Sequence, residues 1–436
     1  MNLLEFIRNK SYWLIDALKG GTVASYLKTL QRIQDGDGLS ESDIQAYQDQ
    51  CVRKLLEYTR TTVPIFSDQK SLDIHDWPVT NKMTYRDHYD RCISSKFDRD
   101  TLIEMATSGS TGTPFVSYQD PVKKKHVNAE TMYYNGQTGY KIGRRIIYLR
   151  SVVNEVQKSS FQQFYQNIYL LDCNDLSDEG IREKMKRIVS LSKGCGAMMM
   201  GYASTFEAFH QYFEKHGIDE VKDAQIYGIA SGSEMLYDPT RQSMERAFRC
   251  RCFSRYANEE NGFLGQDKDE NNVFYLNRAD YYFEVLKMDQ DVPADEGEVG
   301  RIVLTDLFNF AMPMVRYDTG DVGALSKRGN QMVITSFGGR RVDVVSNAKG
   351  EMISPHAITN LMWSYQGVKQ YQFVQEDVGK YRIVLNLSSG TIDEQELIDD
   401  FKHFLGEKST VTIKYTDNIP VLASGKKKYI VNEMGR

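Results

Sequence analysis

Apolar residues recur at helical spacing through residues 1 to about 70, and this spacing predicts a series of N-terminal helices. The glycines of Gly36-Asp-Gly38 interrupt the pattern, and Ser40 offers a cap for the next helix. We expect the first helix to pack on the protein's own core, with contact to a membrane or a partner as the alternative. The apolar positions of the first two helices include Leu3, Leu4, Ile7, Leu27, Leu30 and Ile33.

Short apolar runs alternate with amphipathic stretches in the middle of the chain. This alternation implies α/β layers with largely parallel sheets. A capping-box pattern at Ser204-Thr-Phe-Glu207 predicts that one of the helices starts there. The other predicted helices cover 122–136 and 177–192, and the predicted strands cover 145–150, 166–171, 197–200, 226–230 and 252–256.

The C-terminal part changes in character around Gly338-Gly-Arg340. Before it, residues 281–286 and 300–305 alternate as strands around a polar turn. After it, strands at 370–374, 381–385 and 410–414 enclose a helix at 392–405. The sequence therefore predicts an α/β protein with a large N-terminal domain of layered sheets and helices, 1–339, and a small mobile α+β domain, 340–436.

The composition is that of a soluble globular protein too long for one ordinary core. The chain has 436 residues, 41% of them hydrophobic and 26% charged, and a formal net charge of −5. This balance gives no reason to expect a nucleic-acid partner. The short basic cluster Lys123-Lys124-Lys125 is interpreted as a solvated face.

The six cysteines are irregularly spaced, which favours reduced thiols over a disulfide scaffold. Cys250-x-Cys252 is open to interpretation as the start of a zinc site, but no further cysteine or histidine follows nearby. Glu5, Arg8 and Lys10 stand too early for a secretory signal, and no apolar run reaches the ~20 residues that span a bilayer. We expect a cytoplasmic protein without a transmembrane segment.

The segment 107–114 combines hydroxyl side chains, two glycines and a terminal proline. Glycines let the backbone approach a ligand closely, and successive backbone N–H groups form an anion-binding concavity. A surface linker is the alternative, but the flanking runs 102–106 and 115–118 predict two strands around a phosphate clamp. The segment lacks the Gly-Lys-Ser/Thr of a Walker loop, which argues against a P-loop phosphotransferase. Its candidate phosphate-binding residues are Thr107, Ser108, Gly109, Ser110, Thr111, Gly112 and Thr113.

This segment resembles the phosphate-binding loop of the adenylate-forming superfamily of acyl-CoA synthetases. Further downstream, Tyr256-Ala-Asn-Glu-Glu260 resembles the superfamily's Tyr-Gly-x-Thr-Glu, departing from it at Ala257 and Glu259. The resemblance implies that Glu260 holds Mg²⁺ and that Tyr256 contacts the nucleotide. A surface glutamate on a loop is the alternative for Glu260.

Two motifs near the predicted domain boundary extend the resemblance. Arg316-Tyr-Asp-Thr-Gly-Asp321 is similar to the segment whose last aspartate binds the ribose hydroxyls, and an ionised Asp321 offers two acceptors to a vicinal diol. Gly339-Arg340-Arg-Val-Asp343 resembles the hinge signature, which implies that Arg340 lies near the ribose or the α-phosphate. Val342 stands where relatives have Asp or Lys, so the pivot of the lid, expected near residue 341, stays open.

The remaining motif, Leu422-Ala-Ser-Gly-Lys426, resembles the segment that brings a catalytic lysine into the site for adenylation. Lys427 and Lys428 follow it, so a basic tail is the alternative. Ser231-Gly-Ser-Glu234 lies where relatives contact adenine, which implies nucleotide contacts for Ser233 and Glu234. The candidate residues of the acyl pocket are Tyr202, Gly232 and Ala257.

The order of these motifs resembles the shorter branch of the superfamily, that of the phenylacetate–CoA ligases and CapK-type capsular-polysaccharide proteins. The resemblance implies ATP-dependent conversion of a carboxylic acid to acyl-AMP and pyrophosphate. The acyl group then passes to coenzyme A or to an amine or hydroxyl acceptor in envelope-polysaccharide synthesis. A non-catalytic nucleotide-binding scaffold of the same fold is the alternative.

Overall fold

The structure is a computed structural model whose helices and strands largely follow the pattern of the sequence. It describes residues 1–36, 38–106, 115–150, 159–173, 175–340, 345–350, 352–353, 358, 361–362, 364–388, 391–419 and 429–434. Across these ranges, no helix has the length and apolar character that crossing a bilayer requires.

The described chain forms two compact units. One comprises residues 1–319 with 324–335, and the other comprises residues 320–323 with 336–436. The predicted division after residue 339, and the mobility of the smaller part, stay predictions.

The helices lie mainly in the first unit. In chain order they are α1 (Leu3–Leu18), α2 (Thr22–Gln34), α3 (Glu41–Thr62), α4 (Lys82–Asp87), α5 (Pro121–Gln137), α6 (Ser160–Gln166), α7 (Asp178–Ser192), α8 (Ala203–His216), α9 (Asp238–Phe248) and α10 (Glu394–Leu405). Short 3-10 turns lie at Pro64–Phe66, Ile74–Asp76, Tyr89–Arg91, Arg99–Thr101 and Asp219–Val221.

The strands of the first half of the chain are β1 (Ile103–Ala106), β2 (Val116–Gln119), β3 (Arg145–Arg150), β4 (Ile168–Asp172), β5 (Ala197–Tyr202), β6 (Ile226–Gly232), β7 (Cys252–Asn258), β8 (Gly262–Asp267) and β9 (Phe274–Leu276). Those that follow are β10 (Tyr281–Leu286), β11 (Val299–Asp306), β12 (Tyr317–Arg328), β13 (Gln331–Arg340), β14 (Val345–Ser346), β15 (Met352–Ile353), β16 (Val368–Asp377), β17 (Lys380–Leu387), β18 (Thr410–Tyr415) and β19 (Ile430–Asn432).

The main sheet is half parallel and half antiparallel. Its strand order is β10-β11-β12-β13-β9-β8-β7-β6-β5-β3-β4, and strands β4, β3, β5, β6 and β7 run parallel. From β7 onward, the pairings with β8, β9 and β13 are antiparallel. The predicted α/β class is confirmed, and the largely parallel character holds for one half of the sheet.

Both faces of the parallel half are buried, which explains why its strands are apolar at successive positions. In β5, Met198 and Met199 point to opposite faces and both are fully buried. Met199 faces α7, α8 and α9, where Met185, Phe206 and Met244 complete a single core. Met198 lies in a separate cluster on the other face.

The flanks of the segment 107–114 form the predicted strand pair. Strands β1 and β2 are antiparallel, and Ala106 faces Val116 at the end nearest the segment. The segment itself lies outside the described residues. The paired strands β1 and β2 thus flank the segment on both sides, as predicted.

The second unit has a separate core. Strands β18, β17, β16 and β19 form a four-stranded sheet in that order, against which α10 packs. Phe373, Tyr381, Leu397 and Phe401 are fully buried between the sheet and the helix. This agrees with the small α+β unit that the sequence predicts.

Two local predictions were wrong. Helix α8 begins at Ala203 with Tyr202 as its N-cap and no side-chain cap bond, so the capping box at Ser204 does not form. Instead, the backbone N–H of Ser204 donates to Glu234 Oε2 at 2.8 Å, a bond to a distant residue that local sequence does not reveal. Lys123 is not on a solvated face, because its side chain is fully buried.

The buried Lys123 is the centre of a charged network. Its Nζ lies 2.9 Å from Asp306 Oδ2 and 3.9 Å from Glu130 Oε1, and it donates to the hydroxyl of Tyr281 at 2.9 Å. Burial alone lowers the pKa of Lys123, but the two carboxylates outweigh it and the pKa is raised. The ammonium group therefore stays charged and ties α5 to β10 and β11.

We expect Lys123→Met to destabilise the protein strongly, because the carboxylates of Asp306 and Glu130 would stay buried without their cation. Breaking a buried ion pair from one side costs about 3–5 kcal/mol. The measurement is the free energy of unfolding in urea. Lys124→Met, a half-buried neighbour on the same helix, is the control and should change it by less than about 0.5 kcal/mol. Equal effects of both substitutions would contradict the assigned network.

Candidate active site

Several candidate site residues lie where parallel strands end. Tyr202 and Gly232 are direct partners at the carboxyl ends of β5 and β6. Ligands of open α/β sheets bind at such ends. Burial raises the pKa of the Tyr202 hydroxyl to about 12, so this side chain stays neutral at physiological pH.

The turn after β6 has an unusual backbone. Ser233 has a φ of 69°, a left-handed conformation that costs energy for a residue other than glycine. Its neighbour Glu234 is held by the N-terminus of α8 through the bond from Ser204. The two predicted adenine-contacting residues thus follow the strand end directly and lie next to Tyr202.

The end of β7 carries the next pair of candidates. Tyr256 is buried, and its hydroxyl donates to Thr319 Oγ1 at 3.3 Å. Ala257 is exposed, and the register between β7 and β8 shifts between these two residues. Consecutive residues of a strand point to opposite faces, so Tyr256 faces inward and Ala257 outward, while the register shift leaves the extra residue, Leu264, in β8.

Glu260 lies in the turn that joins β7 to β8, and it is not a surface glutamate. Its side chain is only 2% exposed, and its backbone carbonyl accepts from Gln119 Nε2 at 3.1 Å. The next residue, Asn261, donates to Asp306 Oδ2 at 3.3 Å. Gly262 follows with a φ of 124°, and a Cβ there would lie 2.5 Å from Glu130 Oε2. The turn is therefore fixed to the Lys123 network, and glycine is required for its close approach.

The carboxylate of Glu260 faces a cation from a distant segment. Lys82 Nζ lies 2.7 Å from Glu260 Oε1, and the hydroxyl of Tyr317 donates to the same oxygen at 3.3 Å. Lys82 is 38% exposed, so one side of this ion pair is open to solvent. A buried carboxylate beside a partly exposed ammonium group is a position where a metal cation can compete for the oxygen.

The backbone before Lys82 explains how the lysine reaches this carboxylate. The backbone of Thr80 makes two hydrogen bonds at the start of β12. Its N–H donates to Arg316 O at 2.9 Å, and its carbonyl accepts from Asp318 N at 2.8 Å. Asn81 then caps α4, whose first residue is Lys82. Local sequence does not reveal the partner of Lys82, because the pairing depends on strand contacts between residues far apart in the chain.

Arg316, the first residue of the predicted ribose motif, has a structural role. Its φ is 44°, and its guanidinium binds Glu284 at 2.9 Å and the carbonyl of Trp77 at 2.8 Å. These bonds hold the segment of Lys82 against β12. Asp321 lies further along β12, half-buried, in the part of that strand that belongs to the second unit.

Several candidates cannot be placed. Residues 107–114 and Lys426 lie outside the described residues, and for Arg340 the structure gives the backbone at the end of β13 but not the side chain. Their roles stay predictions. Apart from Asp321 on β12, the candidates whose side chains are described follow the carboxyl ends of the neighbouring strands β5, β6 and β7 (Tyr202, Gly232, Ser233, Glu234, Tyr256, Ala257 and Glu260).

Arg255 is a further charged residue that the sequence analysis did not single out. It is 6% exposed, and its Nε donates to Gln266 Oε1 at 2.7 Å. Neither Nη1 nor Nη2 has a hydrogen-bond partner in the described part of the chain. Burial lowers its pKa to about 10. The signal in the sequence was an arginine inside the apolar run Cys252–Tyr256, one residue before the predicted nucleotide contact.

A magnesium ion fits these residues better than a structural metal does. Among the described residues, no group of three or more His, Cys, Asp or Glu side chains could hold an ion. The single buried carboxylate of Glu260 matches Mg²⁺, which takes one or two carboxylates and completes its shell with waters and phosphate oxygens.

Comparison with solved structures defines the class of fold. The chain is similar to 2-hydroxyisobutyryl-CoA ligase in the postadenylation state in complex with R3-HIB-AMP, with a TM-score of 0.69 at 11% identity over 93% of this chain and 92% of the ligase. The fold is that of the adenylate-forming enzymes.

Comparison of sequences points to one branch of that class. Residues 345–433 match the CapK C-terminal domain family. The whole chain is 23% identical to protein CapK of Staphylococcus aureus over 99% of this chain and 97% of that protein. It is 22% identical to phenylacetate-coenzyme A ligase of Thermus thermophilus over 82% of each. The predicted resemblance to the CapK and phenylacetate–CoA ligase branch is confirmed.

We expect Lys82 and Glu260 to be energetically coupled even without ligands, because their charged atoms lie 2.7 Å apart and the carboxylate of Glu260 is buried. The test is a double-mutant cycle of Lys82→Met, Glu260→Gln and the double variant, followed by the free energy of unfolding. The expected coupling is about 1 kcal/mol, since Lys82 is partly screened by solvent. Additivity within about 0.3 kcal/mol would contradict a persistent ion pair.

Proposed function

We propose that the protein is an ATP-dependent acid ligase that forms an acyl-adenylate and then transfers the acyl group. The observation that carries this proposal is the Glu260 carboxylate, which is buried after the end of β7 and is separated from solvent by the partly exposed ammonium group of Lys82. Its support comes from the adenylate-forming fold and from the motifs that surround this turn in the sequence. A non-catalytic scaffold would be expected to have lost the Mg²⁺ carboxylate or the catalytic lysine, and the chain retains both Glu260 and Lys426.

The proposed reaction has two steps. In the first, a carboxylate oxygen of the acid attacks the α-phosphorus of ATP, the bond from that phosphorus to the bridging oxygen breaks, and pyrophosphate leaves. In the second, a nucleophile attacks the acyl carbon, the bond from that carbon to the phosphate oxygen breaks, and AMP leaves while the nucleophile loses its proton. Positioning and electrostatics dominate such transfers, because the protein supplies little covalent chemistry.

The candidate residues divide these tasks. Segment 107–114 would bind the polyphosphate, Asp321 the ribose and Ser233 with Glu234 the adenine, while Tyr256 and Arg340 would line the nucleotide. Tyr202, Gly232 and Ala257 would border the acid. Lys426 would bring a positive charge to the α-phosphate, and a lysine suits this because it is a point charge on a long stem.

Glu260 would hold Mg²⁺, which supplies charge neutralisation for the phosphates when bound. Lys82 Nζ lies 2.7 Å from this carboxylate and orients it. Its ammonium group, on a flexible stem and partly exposed, also lies 5.8 Å from the centre of the Phe115 ring, and it can withdraw towards solvent when a cation takes its place. We therefore assign Lys82 the role of a positioning residue that reserves Glu260 for the cation.

The acceptor is proposed from the relatives. The phenylacetate-coenzyme A ligase and the 2-hydroxyisobutyryl-CoA ligase are named for coenzyme A, which favours a thiol acceptor. The resemblance to CapK-type capsular-polysaccharide proteins leaves an amine or hydroxyl acceptor in capsule or envelope polysaccharide synthesis as the alternative. Either use of ATP is compatible with the cytoplasm, where we place the protein.

Adenylation can be tested without knowing the acceptor. Pyrophosphate release is measured over a panel of carboxylic acids, with hydroxylamine present to trap the acyl-adenylate as hydroxamate. We expect at least one acid to give hydroxamate and pyrophosphate in equal amounts, dependent on Mg²⁺. Tight ATP binding without hydroxamate from any acid would favour the non-catalytic scaffold.

In this assay, Glu260→Gln should lower the rate of pyrophosphate release about a hundredfold or more, because removal of one preorganised electrostatic group costs this much. The chain offers a matched control in Glu259, the exposed neighbour in the same turn. Glu259→Gln should leave the rate within about twofold of the wild type. If the two variants lost activity equally, Glu260 would have no special role.

A second pair of variants separates chemistry from binding. Lys426→Ala should abolish pyrophosphate release while ATP binding, measured by calorimetry, changes by less than about tenfold, since the lysine acts on the reacting phosphate. Lys427→Ala is the control for a merely basic tail. An unaffected rate in Lys426→Ala would remove this residue from the mechanism.

A further inference from the structure

Helix α1 is oriented against the usual rule for surface helices, which bury their apolar side. Leu3, Ile7, Leu14 and Leu18 follow one another at intervals of four, seven and four residues and therefore share one face. That face is exposed: Leu3 is 73% and Leu18 80% accessible. The two acidic residues of the helix are the buried ones. Helix α1 thus packs on the rest of the protein, as expected, but through its polar side.

Polar contacts fix this orientation. Asp16 accepts bonds from the N–H groups of Val23 and Ala24 at 3.1 and 3.0 Å, which caps α2. Asn9 donates to the carbonyl of Ile142 at 3.0 Å. At the adjacent Gly143, whose φ is 91°, a Cβ would lie 2.5 Å from the carbonyl oxygen of Glu5, so backbone meets backbone there. The helix cannot turn its leucines inward without losing these bonds.

The exposed surface continues onto α6. Arg8 donates to the carbonyl oxygens of Tyr165 and Phe164 at 3.0 and 2.7 Å, and its guanidinium lies 5.2 Å from the centre of the Phe164 ring. Phe161, on the same short helix, is 75% exposed. We call this surface the α1–α6 face; its members are Leu3, Leu4, Ile7, Leu14, Ile15, Leu18, Phe161, Phe164 and Tyr165.

A contiguous apolar surface of this kind marks an interaction site, because monomers seldom expose large apolar patches. In the described part of the chain, nothing packs over it. The charges around it decide what the partner is. Arg8, Lys10 and Lys19 are the charged residues that α1 and its C-cap leave accessible, while Glu5 and Asp16 are turned inward and buried. Helix α6 carries no charged residue.

We propose that the α1–α6 face docks on an anionic lipid bilayer, with the leucines and aromatic rings in the headgroup boundary and the three cations at the lipid phosphates. Amphipathic helices that lie in the interface combine these features. A second copy of the chain is a poorer partner. In a twofold contact, Arg8, Lys10 and Lys19 of one copy would face the same surface of the other, where α1 and α6 offer no accessible carboxylate to pair with them.

The proposal is independent of the proposed catalytic activity, and so is its test. The full chain is floated with vesicles of phosphatidylcholine and phosphatidylglycerol in equal parts, and with vesicles of phosphatidylcholine alone. We expect binding to the mixed vesicles, much weaker binding to the neutral ones, and a loss of binding as salt is raised.

Two sets of variants locate the contact. Leu14→Gln/Leu18→Gln/Phe161→Gln should weaken binding to the mixed vesicles about tenfold or more, because it removes apolar anchors. Lys10→Gln/Lys19→Gln should weaken it several-fold. These side chains are exposed, so circular dichroism and the unfolding temperature should stay unchanged. The controls are Val378→Gln, an exposed apolar residue of the second unit, and Lys349→Gln/Lys408→Gln.

Two outcomes would overturn the proposal. One is a wild-type chain that does not float with the mixed vesicles, or that floats equally well after the triple substitution. The other is a dimer in sedimentation velocity that the triple substitution converts to a monomer while neither form binds vesicles. In that case, the α1–α6 face would be a contact between copies of the chain.

Discussion

The buried ammonium of Lys123 is the interaction on which the candidate site depends. It pairs with Asp306 at 2.9 Å and lies 3.9 Å from Glu130, whose pKa is raised well above its usual value by burial. These two side chains in turn hold the turn after β7: Asp306 accepts from Asn261, and Glu130 accepts from the N–H of Phe263 at 2.9 Å. A buried cation is stable only while its partners stay in place. The charge network therefore fixes helix α5, strand β11 and the Glu260 turn as one piece, so that the carboxylate is presented by a rigid frame.

A second set of contacts positions Lys82, the cation that faces Glu260. The segment before α4 pairs with the start of β12, and Arg316, held in a left-handed conformation by its bonds to Glu284 and Trp77, keeps the segment there. Lys82 reaches Glu260 as a result. Strain at Arg316 and Ser233 is stored next to the candidate residues, as is common where a backbone must be held for a ligand. The polar contacts of Lys123 and Arg316 fix the positions of the site residues. The apolar layers around β3, β5 and β6 supply the stability of the fold.

Much of the fold could be predicted because local patterns determine it. The strand Arg145–Arg150 and the helix at Asp178 follow directly from apolar runs and caps. The sequence could not show which polar residues the fold buries. Lys123 is one of three consecutive lysines. Only the packing of α5 against β10 and β11 shows that Lys123, unlike its two neighbours, is fully buried. The pairing of Lys82 with Glu260 joins residues 178 positions apart. The orientation of α1 could not be predicted, because helical spacing identifies an apolar face but not the side of the helix that packs on the protein.

Isotopic oxygen shows whether the protein joins a carboxylate to the α-phosphate of a nucleotide. An acid that supports pyrophosphate release is supplied with ¹⁸O in its carboxylate, the acyl group is passed to hydroxylamine or a natural acceptor, and the AMP is analysed by mass spectrometry. We expect one ¹⁸O atom in the phosphate of AMP, because the attacking carboxylate oxygen stays on phosphorus when the acyl carbon is released. AMP without the label, or ADP as the nucleotide product, would rule out an acyl-adenylate.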